Sequence, residues 1–181
     1  FYGSYGCTDF YNSTTATATL TILDSGKVDF LAAPGVYNNR EPGGCVAQRE
    51  MQDSFRLRGQ MFVAEEDSRT HLEDSFYRDA MGLYDVRDSM VTLKRDFARV
   101  LCEDIYAWWF DQHAEGGRYQ HEDIYGLFSR QREIAKFAYS LNRDKQNEIA
   151  VIYDQESCHA VSGYTNTMML DYYRTSDLHR I

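Results

Sequence analysis

Short apolar runs alternate along this chain with longer stretches in which apolar residues return every three or four positions, and this alternation limits the fold more than any other feature. The runs are Val28 to Ala33 (VDFLAA), Gln60 to Glu65 (QMFVAE), Ile105 to Phe110 (IYAWWF) and Glu148 to Tyr153 (EIAVIY). Each is short for a helix and reads as a buried strand; Pro34-Gly35 closes the first. Helical patterns lie between them. Ala16 to Ser25 carries Leu20, Ile22 and Leu23 and stops at Gly26, while Gln48 to Arg58 is apolar at Met51 and Phe55. In Ser89 to Leu101, Met90, Leu93, Phe97, Val100 and Leu101 share one face. The clearest pattern is Ile124 to Leu141, where Ile124, Leu127, Phe128, Ile134, Ala135, Ala138 and Leu141 follow the helical period behind Glu122 and Asp123. The stretch from about Val161 onward is also expected to be helical. Glu66 to Asp88 is charged and without a period, and is expected to be a long loop. The order predicts an α/β fold, with parallel strands and helices packed outside them. It leaves an open sheet and a closed barrel equally allowed.

Composition removes several functions. A formal net charge of -9 argues against a general nucleic-acid or anionic-membrane binder, since both need a basic patch. No run reaches the roughly 18 consecutive apolar residues of a membrane-spanning helix. Cys7, Cys45, Cys102 and Cys158 are scattered, form no CxxC pair, and are expected to be buried free thiols. The histidines lack metal-ligand spacing, so no metal is expected. A GxSxG elbow, a Walker loop and a dinucleotide fingerprint are all missing, so no cofactor is expected either. Asn12-Ser13-Thr14 is a glycosylation sequon. Phe1 to Tyr5 is neither a signal peptide nor a natural start, and Ile181 stops inside a helical pattern, so a fragment is expected at both ends. The compartment is not fixed by these residues; the cytoplasm is the expected one.

Parallel α/β folds bind ligands at the C-terminal ends of their strands. The first run leads to Tyr37 and Arg40 in the loop YNNREPGG. The second leads to Glu65-Glu66-Asp67-Ser68-Arg69-Thr70, the third to Trp109-Phe110-Asp111, and the fourth to Asp154-Gln155-Glu156. Carboxylates, arginines and aromatics at one rim suit a glycosidase: a carboxylate to attack an oxocarbenium-like centre, polar groups for hydroxyls, an aromatic floor for the ring. Each also has an ordinary explanation. A bare cluster such as Glu65 to Arg69 is usually a solvated set of ion pairs. One of Trp108 and Trp109 must pack, because neighbours on a strand face opposite ways. Asp111 could cap a turn, and Arg40 could be a surface charge. Alternation also sorts the glutamates: Met61, Val63 and Glu65 face one way, Phe62, Ala64 and Glu66 the other. If Met61 and Val63 point to the ligand side, Glu65 does too, and Asp67 follows if the chain stays extended. The opposite phase selects Glu66. Glu65 is the favoured candidate.

Four strings, VDFLAAPGVYNNREPGG, FVAEEDSRTHL, YAWWFDQHAEGGRY and NEIAVIYDQES, occur here in that order. Together they resemble β-galactosidase-like proteins of glycoside hydrolase family 42 and their relatives, over most of the chain. The resemblance implies a partial (β/α)8 TIM barrel over residues 1–143, supplying about its last three strands. The start of a flavodoxin-like, trimerisation-type α/β domain would follow over 144–181, beyond the polar linker NRDKQN. It implies a carbohydrate substrate, a homo-oligomeric parent (a trimer) and a retaining mechanism. A Glu-x-Asp-x-Arg-Thr pattern maps onto Glu65, Asp67, Arg69 and Thr70, with Glu65 the nucleophile and the general acid/base on a strand before Phe1. This form departs from the better-known β-galactosidases of the family. On this reading Asp67 and Arg69 hold the site's geometry, Trp109 stacks on the sugar, and Tyr37, Arg40 and Asp111 bind hydroxyls. One competing expectation is a non-catalytic carbohydrate-binding or assembly protein on a degenerate barrel; another is an unrelated open-sheet α/β binding domain.

Overall fold

A computed structural model describes residues 19–37, 39–46, 48, 50–112, 116–143, 149, 150 and 152. They divide into two compact units, one drawn from the described residues up to 36, within 47–64 and after 143, the other from those within 37–46 and 65–143.

In the first unit, helix α1 (Thr19–Asp24) buries Leu23 and ends at Gly26, whose φ of +63° is a left-handed conformation that glycine adopts without strain. Strand β1 (Phe30–Pro34) is buried at Leu31, Ala32 and Ala33 in succession, so both of its faces are covered, as in a strand of a parallel sheet. Helix α2 (Gln52–Arg56) is much shorter than the pattern over Gln48 to Arg58 predicts; Met51 before it is extended and makes no side-chain cap. Its one buried residue, Phe55, meets Phe62 of strand β2 (Met61–Glu66) edge to face at 5.4 Å. The Gln60 amide donates to the carbonyls of Leu23 (3.0 Å) and Val28 (2.8 Å), tying the start of β2 to the turn before β1.

The second unit opens with a helix the sequence pattern does not reveal. α3 (Ser75–Met81) lies inside the stretch expected to be a loop; Asp74 caps its start by accepting the Tyr77 N–H, and Gly82 at φ +63° ends it. None of its residues is buried, so it has no apolar stripe to detect. Helix α4 (Val86–Glu103) starts before the predicted Ser89, because Asp85 caps it through the Asp88 N–H. Its buried residues are Ser89, Thr92, Leu93, Asp96 and Val100, a more polar face than the apolar one expected. Strand β3 (Tyr106–Trp109) and helix α5 (Glu122–Tyr139) follow. Leu93, Tyr119, Ile124 and Leu127 form the core between α4 and α5, with Met90, Trp109 and Phe128 against it. The Gln131 amide donates to the Leu93 carbonyl at 3.1 Å, joining the two helices. Ile134 and Leu141, placed on the inner face by periodicity, are exposed.

The three strands form one parallel sheet in the order β1-β2-β3, with helices between them in sequence, so the fold is α/β. Of the expected fourth strand only Ile149, Ala150 and Ile152 are described, without strand assignment. The expected boundary between 143 and 144, the helix from Val161, the sequon and Cys7 and Cys158 fall outside the described residues. Cys45 is half-buried and Cys102 exposed, both free, against the expectation of buried thiols.

Candidate functional site

The alternation of β2 does not stop where the strand does. Phe62, Ala64, Glu66, Ser68 and Thr70 are all buried, while Val63, Glu65, Asp67 and Arg69 are half-buried. Partners in the helix layer and the loop after β3 hold Glu66, Ser68 and Thr70. Glu66 pairs with Arg99 of α4. The Ser68 hydroxyl donates to the Asp96 carboxylate, which also takes a hydrogen bond from Arg95 Nε at 2.9 Å. The Thr70 hydroxyl donates to the Arg118 carbonyl. The Tyr119 hydroxyl lies 3.1 Å from the Glu66 carbonyl and 2.9 Å from that of Ser68. Burial pushes the Glu66 carboxyl up to about 7, against the pull of Arg99 and with Asp96 adding to the rise. Burial likewise raises the Tyr119 phenol, leaving it a neutral donor. With Glu66 committed to α4, Glu65 and Asp67 occupy the other face.

The loop after β1 reaches this face. Arg40, only 6% exposed, pairs with Asp67 at 2.6 Å and lies over the Tyr37 ring at 4.4 Å, so three predicted site residues come together. The loop takes its shape from Arg95, whose guanidinium donates to the carbonyls of Glu41 (2.8 Å) and Gly44 (3.2 Å) and lies within reach of that of Arg40. Arg40 is therefore a buried brace rather than the surface charge it could have been. Arg69 lies over the Tyr77 ring of α3 at 3.5 Å and 3.4 Å from Glu73, and Glu73 lies 3.0 Å from Arg118 Nε.

Trp109 and Asp111 each have a structural partner. Trp109 stacks on Phe128 of α5 at 4.7 Å and meets the Tyr119 edge at 5.9 Å, so it packs against the helix layer. The Phe110 N–H donates to the Glu66 carbonyl at 2.9 Å, a parallel register that sets Trp109 beside Glu66 and Trp108 beside Glu65. Trp108 is the aromatic on the Glu65 face. Asp111 accepts the Arg118 N–H at 2.8 Å, closing the turn through Gly116 and Gly117, both at positive φ. Asp111 thus caps this turn, the other reading the sequence allowed for it. A Cβ on Gly117 would strike the Asp111 carboxylate, and its φ is +82°. Gly117→Ala is therefore expected to destabilise the protein by about 1–3 kcal/mol, read as a lower urea midpoint with an unchanged m-value.

Arg95, Asp96, Arg99, Glu73 and Arg118 carry no sequence signal beyond their charge. Only the GGRY string, with paired glycines before Arg118, marks a constrained turn. Among the described residues no three His, Cys, Asp or Glu side chains gather as metal ligands, and no helix is long and apolar enough to cross a membrane. No family model matches the chain, and no curated protein or solved structure matches it.

Proposed function

We propose that this chain is part of a retaining, β-galactosidase-like glycoside hydrolase in which Glu65 is the nucleophile. On this reading the three-stranded sheet is an arc of a (β/α)8 barrel, and a flavodoxin-like, oligomer-forming domain begins near residue 144. One observation carries the reading: at the C-terminal end of the middle strand of a parallel sheet, Glu66, Ser68 and Thr70 are tied into buried hydrogen bonds, which leaves Glu65, Asp67 and Arg69 on the opposite face.

The chemistry follows from that placement. The Glu65 carboxylate attacks the anomeric carbon while an acid on another strand protonates the departing oxygen; water then releases the sugar from the ester as that acid, now a base, takes its proton. The family resemblance puts the acid/base before Phe1, so activity belongs to the longer protein that carries both groups. Asp67, fixed by Arg40, and the half-exposed ring of Tyr37 supply polar and aromatic contacts. Trp108 takes the platform role for which Trp109 is turned the wrong way.

A 2-deoxy-2-fluoro glycoside with a good leaving group tests this directly. The fluorine slows both steps, and the leaving group restores the first, so the covalent intermediate accumulates. The expected result is a mass increase of one fluorosugar on the peptide containing Glu65. Binding without labelling would favour the non-catalytic carbohydrate-binding alternative, and a label on Glu66 or elsewhere would remove Glu65 from its role.

A further inference from the structure

We infer that Arg118 is the positioning residue of this site, holding the segment that carries Glu65, Asp67 and Arg69 against the loop after β3; the inference rests on the glycosidase reading of Glu65. Sheet pairing cannot perform this task alone, because β2 ends at Glu66 and β3 at Trp109 while the alternation of burial runs on to Thr70. Arg118 takes over where the strands stop. Its Nη1 donates to the Asp67 carbonyl at 2.7 Å, and its own carbonyl accepts the Thr70 hydroxyl. Its Nε lies 3.0 Å from the Glu73 carboxylate, and its N–H donates to Asp111 at 2.8 Å. These contacts reach Asp67, Thr70 and Glu73 on one loop and Asp111 on the other. The residue is 3% exposed, so the guanidinium is spent inside the protein and makes no substrate contact of its own.

The planar fork of arginine explains the residue type. One nitrogen reaches a main-chain carbonyl while another faces a carboxylate, and the geometry between them is rigid. A lysine ammonium would serve one acceptor and release the other. Glu73 ties the arrangement to substrate-side geometry, because it also lies 3.4 Å from Arg69. Movement of Arg118 would therefore be passed to Asp67 through its backbone and to Arg69 through Glu73. Neither of those residues needs to touch Arg118 by its own side-chain tip for the face to shift.

The test uses the longer protein carrying both catalytic carboxylates, with Arg118→Lys and Arg118→Ala beside Glu65→Ala. Misplacing a reacting group by about 1 Å costs on the order of 10²-fold in rate, so kcat is expected to fall by about that factor in Arg118→Lys while KM stays near its original value. Added guanidinium chloride at sub-denaturing concentration should recover part of the kcat of Arg118→Ala, by refilling the cavity, and none of that of Glu65→Ala. Amide exchange supplies a readout independent of activity. The N–H groups of Leu72 and Glu73, bonded to Thr70, should exchange faster in Arg118→Lys, while that of Met61, bonded to Asp29, should not change. Unchanged exchange and unchanged kcat in Arg118→Lys would overturn the proposal. So would a raised KM at constant kcat, which would make Arg118 a substrate contact. Full activity of Glu65→Ala with faster exchange in Arg118→Lys would instead remove the glycosidase reading and leave the structural role standing. If Arg118→Ala fails to fold, Arg118→Lys alone decides.

Discussion

Glu65→Ala is expected to lower kcat on an aryl glycoside by several orders of magnitude, and Glu66→Gln to lower it far less. A retaining mechanism needs a covalent partner for the anomeric carbon, and removal of that carboxylate leaves the acid with nothing to work against. The two glutamates are neighbours in sequence and differ only in face. Glu66 is 3% exposed and paired with Arg99, so its side chain is committed to α4, whereas Glu65 lies on the same side of the strand as Asp67 and Arg69. Azide separates the cases further. In Glu65→Ala it enters the vacated space and attacks the anomeric carbon from the nucleophile's side, giving the glycosyl azide of inverted configuration. Glu66→Gln should give none. An inactive Glu66→Gln beside an active Glu65→Ala would reverse the faces assigned to β2, and two active variants would end the enzyme reading.

The second large effect is a pH dependence of stability centred on Glu66. Its carboxyl titrates at about 7 in the folded protein, raised by burial from an ordinary value of 4.5. A raised carboxyl binds its proton more tightly folded than unfolded. The stability it contributes is therefore fully present below about pH 4.5 and is lost as pH climbs through about 7. The size of the loss is about 3 kcal/mol, since each unit of displacement corresponds to roughly 1.4 kcal/mol. The quantity to measure is the difference between wild type and Glu66→Gln in urea unfolding from pH 4 to 9, which isolates the contribution of this one carboxyl. Glutamine imitates the protonated acid, so the variant should lack the decline and overtake the wild type at the alkaline end. Arg99→Met should move the decline to higher pH, because Arg99 is the largest influence opposing the rise. Parallel profiles for wild type and Glu66→Gln would show that Glu66 titrates as an ordinary glutamate.

The amino-acid sequence by itself determined the α/β class and its strands. The apolar runs near Val28, Met61 and Ile105 became β1, β2 and β3, and the periodic stretches before and after Ile105 became α4 and α5. These signals are local: a buried strand needs a short apolar run, and a helix packed on a sheet needs a repeating apolar stripe. α3 stayed hidden because it buries nothing, although its Asp74 and Gly82 caps were in plain view. The inner face of α4 was also misread. Ser89, Thr92 and Asp96 are buried because they bond polar partners, and a hydrophobic period cannot register that. The candidate site divides along the same line. Alternation put Glu65, with Asp67 if the chain stays extended, on one face and Glu66 on the other, but a period of two has two phases and holds no information about which side the helices cover. Only the tertiary structure decided it, by bringing Arg99 and Asp96 of α4 to Glu66 and Ser68. The same long-range packing turned Trp109 toward Phe128 and joined Arg40 to Asp67 across 27 positions of chain, contacts whose partners lie too far apart in sequence for any local pattern to specify.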